Sequence, residues 1–229
     1  MIKGIVFDIG QTLVHYPIPL NWSSLYRPAF GKVSEDLGIG ISDSGYEAAG
    51  RVLTRYNTRI NPREKEVSSD QIFSEIISEA GLPSGMKDQI KEAFYSFFQH
   101  EAYIYPEAEE ALSQIKAKGL ITATLSDVAY GMDNRFALAD IEPLLKYLDF
   151  PWTSNDTGYR KPSPKALEKV AEAMGLSTGE IIFVGDERKD IECARSAGAL
   201  PVLVNRTFEE KDYGQEMQIS GLTELTQFV

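Results

Sequence analysis

Ile181-Ile182-Phe183-Val184-Gly185-Asp186 is the stretch on which the fold turns: an unbroken apolar run that ends on a glycine and a carboxylate. Runs of this length and β-branched content suit strands covered on both faces, as in a parallel sheet. Outward from it, three more runs take the same form: Gly4 to Asp8, Leu120 to Ser126 and Pro201 to Asn205. Between the last three runs lie helical patterns. Ser163 suits an N-cap, Pro164 the first helical position and Gly175 the position just past the end. Between them Leu167, Val170, Ala171 and Met174 form one apolar stripe. Pro106 to Gly119 repeats the scheme around Leu112 and Ile115, and a third helix is expected from about Lys189 to Ala197. Strands alternating with helices imply right-handed crossovers, and so an α/β fold with a doubly wound, Rossmann-like parallel sheet.

Residues 15–102 read differently. Trp22, Leu25, Ala29, Val33 and Leu37 mark a helix ending at Gly38, and Tyr46, Ala49, Val52, Leu53 and Tyr56 mark a second. Ile72, Phe73, Ile76, Ile77 and Ala80 mark a third before Gly81; Met86, Ile90, Phe94, Phe97 and Phe98 mark a fourth. No strand signal intervenes, so an inserted α-helical bundle is expected between the first and second core strands. Residues 1–14 and 103–229 then form the core domain. The polar stretch Asn57 to Ser69, with Arg59, Arg63 and Lys65, reads as a solvated interhelical loop that could nevertheless reach an anionic substrate.

A net charge of −11 and a pI of about 4.8 argue against non-specific binding to nucleic acid or anionic membrane. The single cysteine, Cys193, cannot form an internal disulfide, which suits a reducing compartment, and no Cys/His cluster suggests zinc. The apolar run near Met1 is too short for a signal h-region, and no window is long enough to span a bilayer. A cytoplasmic chain with neither a membrane nor a nucleic-acid partner is expected.

In an open parallel sheet, ligands bind outside the carboxyl ends of the strands. Those ends carry Asp8, then Ser126 with Asp127, then Asp186, with Asp190 one helical turn beyond. Carboxylates converging there would repel: two unit charges about 4 Å apart cost about 4 kcal/mol at an effective dielectric of about 20. A cation or a shared proton must compensate them. Oxygen ligands without His or Cys point to Mg²⁺ rather than zinc. Lys161, in the loop Thr157-Gly158-Tyr159-Arg160-Lys161-Pro162-Ser163-Pro164, is a second source of positive charge.

Phe7-Asp8-Ile9-Gly10-Gln11-Thr12-Leu13 resembles the first motif of the haloacid dehalogenase-like superfamily, Asp-x-Asp-x-Thr. Ile121 to Asp127 is similar to the second motif, Tyr159 to Pro164 to the third, and Val184 to Asp190 with Ala194 to Gly198 to the fourth. The likeness covers the core, about residues 1–14 and 103–210, and the helical insert stands where many members carry a cap. The resemblance implies a Mg²⁺-dependent phosphohydrolase, monomer or homodimer, that acts on a small phosphorylated metabolite through an aspartyl-phosphate on Asp8. It further implies that Asp8, Asp186 and the backbone carbonyl of Gly10 bind the metal. Asp190 would support the metal's water shell or hold Lys161. Ser126, Asp127 and Lys161 would hold the phosphoryl group, and Thr12 would order the loop after Asp8.

Gly10 departs from the family pattern. It keeps a carbonyl but lacks the acid that protonates leaving groups, a contribution typically worth about 10²–10⁴-fold. Three outcomes follow: a preference for acyl or aryl phosphates, a substitute acid with His15 the nearest candidate, or a catalytically impaired protein kept for binding. The 2-haloacid dehalogenases carry Tyr at that position, work without metal and lack the pair supplied here by Gly185-Asp186. Phosphonoacetaldehyde hydrolase carries Ala and needs a cap lysine for a Schiff base, and Lys32, Lys65, Lys87 and Lys91 show no desolvated setting in the sequence. His15 otherwise reads as a packed or surface residue. Arg160 and Arg188 flank the expected site, and simple surface exposure is the alternative reading for either.

Overall fold

In the computed structural model, residues 1–17, 22–99, 102–207 and 209–228 are described. The strands are β1 (Gly4–Phe7), β2 (Val14–His15), β3 (Tyr103–Ile104), β4 (Ile121–Ser126), β5 (Phe150–Thr153), β6 (Ile181–Gly185), β7 (Leu200–Val204) and β8 (Met217–Ile219). Six of them form a parallel sheet in the order β5-β4-β1-β6-β7-β8. The four apolar runs supply its centre, with Gly4 in register with both Ile121 and Ile181. The chain runs from β1 out to β4 and β5 on one side and then crosses to β6 and β7 on the other, which opens a crevice at the carboxyl end of β1, beside the ends of β4 and β6. β5 and β8 had no clear sequence signal. β5 is an edge strand, where Pro151 is tolerated because one side of the backbone needs no ladder partner.

The helices are α1 (Tyr26–Leu37), α2 (Asp43–Tyr56), α3 (Ser69–Ala80), α4 (Lys87–Phe97), α5 (Ala108–Ala117), α6 (Asn134–Ala137), α7 (Ser154–Thr157), α8 (Pro164–Met174), α9 (Arg188–Ala197) and α10 (Leu222–Leu225). Side chains alternate across β1, so both sheet faces are buried. Ile5 and Phe7 pack with Leu112 and Ile115 of α5 and Leu222 and Leu225 of α10, while Val6 packs with Leu167 and Val170 of α8 and Ala194 of α9. Pro164 opens α8 and Gly175 closes it at φ 67°. Ser163 precedes α8 but does not cap it, because its hydroxyl donates instead to Glu64 Oε1 at 3.0 Å.

The four insert helices form a bundle between β2 and β3. Trp22 and Leu25 lie in a 3-10 turn before α1 rather than in the helix itself. The insert is also not free of strand structure at its base: Val14 pairs with Ile104 and His15 with Tyr103, antiparallel. Its apolar cluster takes in Val128, Tyr130, Met132 and Phe136, which follow β4. The segment from Asn57 to Ser69 is an interhelical loop exposed at Arg59–Pro62, Glu64, Lys65 and Ser68, but it is also docked. Glu66 N–H donates to Gly158 O at 3.0 Å and Arg160 N–H to Glu64 O at 2.8 Å, so it runs beside the loop that carries Lys161. Gly131, at φ +66°, lets this segment approach: a Cβ there would stand 2.4 Å from Val67 O and 2.5 Å from Ser69 N. Among the described residues no helix is long and apolar enough to cross a membrane.

Candidate active site

Asp8 leaves β1 with its backbone N–H donating to Val184 O at 2.9 Å, which fixes the first strand end against β6. The residue is 6% exposed. Lys161 Nζ donates to Asp8 Oδ1 at 2.7 Å and lies 2.6 Å from Asp190 Oδ1. One buried ammonium thus bridges the two carboxylates. Asp190 Oδ2 is held at the start of α9 by the Glu187 N–H, at 2.9 Å. Burial disfavours the Lys161 ammonium, but Asp190, Asp8 and Asp127 outweigh it and hold its pKa well above the ordinary value. Lys161 is therefore a fixed cation.

Asp186 lies close to both carboxylates. Burial first, then the charges of Asp8 and Asp190, raise its carboxyl above the ordinary carboxylate range. Burial likewise raises Asp190, against the pull of Lys161. Asp8, Asp186 and Asp190 each offer an oxygen, all lying within 4.8 Å of one another. One lysine cannot neutralise three carboxylates. Asp186 has no cationic partner among the described residues, and the all-oxygen donor set fits a hard divalent ion.

Asp8, Gly10, Ser126, Asp127 and Asp186 line one cavity of about 400 Å³ between the strand ends and the bundle. Lys161 and Asp190 do not line it; they sit behind Asp8, 5% and 1% exposed. Asp127 Oδ1 accepts the Lys161 N–H at 3.0 Å, and Oδ2 lies 3.8 Å from Arg160 and 3.6 Å from Lys189. Thr12 is fully buried away from the cavity, and its hydroxyl finds no partner among the described residues. The loop after Asp8 is held by its backbone instead: Gln11, at φ 54°, donates its N–H to Val14 O at 2.6 Å, and Thr12 O accepts from Arg206 at 3.1 Å. His15 is exposed against the Gln11 side chain and outside the cavity.

Arg160 is buried, not exposed: it pairs with Glu66 and donates to Val128 O at 2.7 Å. Arg188 is exposed, stacked over Tyr213. Lys91 corrects the expectation for the insert lysines, being only 9% exposed, but it donates to Asp70 at 2.7 Å and does not reach the cavity. Tyr16, Arg59, Asp140 and Lys189 line the cavity without having been singled out for chemistry, apart from Arg59 as a residue within reach. No motif spacing marks Tyr16 or Asp140; only the chain path brings them together.

Comparison with known proteins bears on this arrangement. A phosphatase of Mycobacterium tuberculosis is 30% identical over 142 residues, which cover 62% of this chain and 64% of that protein, just under two thirds of its length. The phosphoglycolate phosphatase of Escherichia coli K12 is 25% identical over 230 residues, covering 96% of this chain and 86% of that protein. The crystal structure of a 2-haloacid dehalogenase from Pseudomonas syringae pv. Tomato superposes with a TM-score of 0.70 over 99% of this chain and 97% of that one, at 20% identity, a likeness of fold alone. Residues 2–198 match the hydrolase family described as haloacid dehalogenase-like hydrolase, and the chain belongs to that family.

Proposed function

We propose that this hydrolase is a Mg²⁺-dependent phosphatase acting on a small phosphorylated substrate through an aspartyl-phosphate on Asp8. The observation that carries it is the Asp8 carboxylate at the cavity wall, bonded on one side to a buried Lys161 and faced by Asp186. The phosphatases among the similar proteins support the same class.

Asp8 attacks phosphorus from a fixed position, which is most of what phosphoryl transfer asks of a protein. Lys161 offsets the charge that builds between nucleophile and phosphoryl oxygens. Ser126, at the end of β4, donates to one of those oxygens. Asp127 acts through Lys161, whose N–H it holds; as a direct phosphate contact its carboxylate would repel the substrate. Asp8, Asp186 and the Gly10 carbonyl would hold Mg²⁺, which when bound draws charge from the phosphoryl group. The lone, buried Cys193 and the acidic charge suit a cytoplasmic protein with no nucleic-acid partner. With glycine at position 10, a proton for the leaving group has to come from elsewhere in the cavity or be dispensed with.

The test is a screen of phosphate metabolites with Mg²⁺, with EDTA, and with Asp8→Asn. At least one phosphate ester is hydrolysed by the native protein, and the rate falls to background in both controls. Activity that survives Asp8→Asn, or that ignores EDTA, would overturn the assignment.

A further inference from the structure

Position 10 does not need glycine for its backbone, which lies outside the left-handed region, and a Cβ there meets no backbone. The atoms nearest that Cβ site are Cε2 and Cδ2 of Tyr16, at 3.4 and 3.8 Å. An aromatic ring thus borders the space that an acidic side chain at position 10 would enter. The Tyr16 hydroxyl donates to Asp140 Oδ2 at 2.8 Å. Tyr16 and Asp140 line the same cavity as Asp8 and Ser126. Asp140 forms no ion pair among the described residues, unlike Asp8, Asp127 and Asp190. A half-buried carboxyl without a cation is best accommodated with its proton on.

We propose that Asp140, held by Tyr16, is the proton donor to the leaving-group oxygen and stands in for the side chain that Gly10 lacks. The assignment rests on the aspartyl-phosphate chemistry above. As the Asp8 oxygen forms its bond to phosphorus, the bond from phosphorus to the leaving oxygen breaks. That oxygen takes the proton from Asp140 Oδ1 and departs as a neutral alcohol. Tyr16, donating to Oδ2, stabilises the carboxylate left behind. Asp140 recovers a proton from the water that then attacks the phosphorus of the aspartyl-phosphate, releasing inorganic phosphate and free Asp8. Two directions of titration agree. Burial raises the Asp140 carboxyl against the opposing effect of the Tyr16 bond. Burial, Asp140 and Asp8 raise the Tyr16 phenol, so it remains a donor. Asp140 is a catalytic residue in this scheme and Tyr16 a positioning residue.

The experiment compares native protein, Asp140→Asn, Tyr16→Phe and Asp8→Asn on a series from p-nitrophenyl phosphate to alkyl phosphates, with Mg²⁺. Asp140→Asn lowers kcat on alkyl phosphates by about 10²–10⁴-fold and on p-nitrophenyl phosphate far less, so that the dependence on leaving-group pKa steepens while KM changes little. Tyr16→Phe steepens it in the same direction by a smaller factor. Adding Gly10→Asp to Asp140→Asn restores part of the alkyl phosphate rate. An equal loss on every substrate, or none on alkyl phosphates, overturns the role of Asp140. Should Asp140→Asn fail to fold, an unchanged leaving-group dependence in Tyr16→Phe overturns it. Activity surviving in Asp8→Asn instead overturns the aspartyl-phosphate assignment itself.

Discussion

Asp186 is held as a carboxylate only at a cost. Unfolded, it ionises near pH 4; folded, burial and its two acidic neighbours keep the proton on to higher pH. The native state therefore binds more protons across that window, and stability falls as pH rises from about 4 through the raised pKa. A divalent cation favours the ionised form and works against this loss. The rise in melting temperature on adding Mg²⁺ in place of EDTA is expected to be larger at pH 8 than at pH 5; equal rises would refute the assignment of Asp186 to the ion. Lys161 invites a complementary test. Lys161→Met leaves Asp8 and Asp190 buried without their counter-charge, and removing one partner of a buried pair costs about 3–5 kcal/mol, measured by urea unfolding. These residues were legible in the sequence because each sits at a strand end or loop whose position follows from apolar patterning. Asp140 and Tyr16 were not, since neither belongs to a periodic element and only tertiary contact defines them.

The Asn57–Ser69 segment shows how the contacts of an exposed loop go unseen when its partners are distant in sequence. Arg63 and Glu66 look like ordinary polar surface, yet Arg63 donates to Tyr56 O at 2.6 Å and Glu66 pairs with Arg160, 94 residues away. The long core helices were easier, because a stripe such as Leu167-Val170-Ala171-Met174 needs only local spacing. β5 was missed because an edge strand carrying Pro151 lacks the run of β-branched residues that marks a central one. Gly131→Ala tests the docking of the segment. The Cβ would meet backbone atoms of Val67 and Ser69 at a positive φ, with strain alone costing about 1–3 kcal/mol. Thermal stability is expected to fall, and amide protection to drop first at residues 64–69; retention of that protection would show the contact to be dispensable.

Across the whole molecule, the bundle shares its apolar cluster with Val128, Tyr130, Met132 and Phe136, so the two layers are not independently packed. Trp22, stacked on Phe98 at 3.8 Å, reports on the bundle, and Trp152 in β5 reports on the sheet. Single-tryptophan variants, Trp22→Phe and Trp152→Phe, are expected to give coincident urea transitions. Two separated midpoints would mean that the layers come apart independently. The paired run of residues 64–66 along 158–160 has a mechanical corollary. These two backbone bonds tie the insert to the loop whose Lys161 ammonium lies against Asp8, so the two parts are coupled through the main chain.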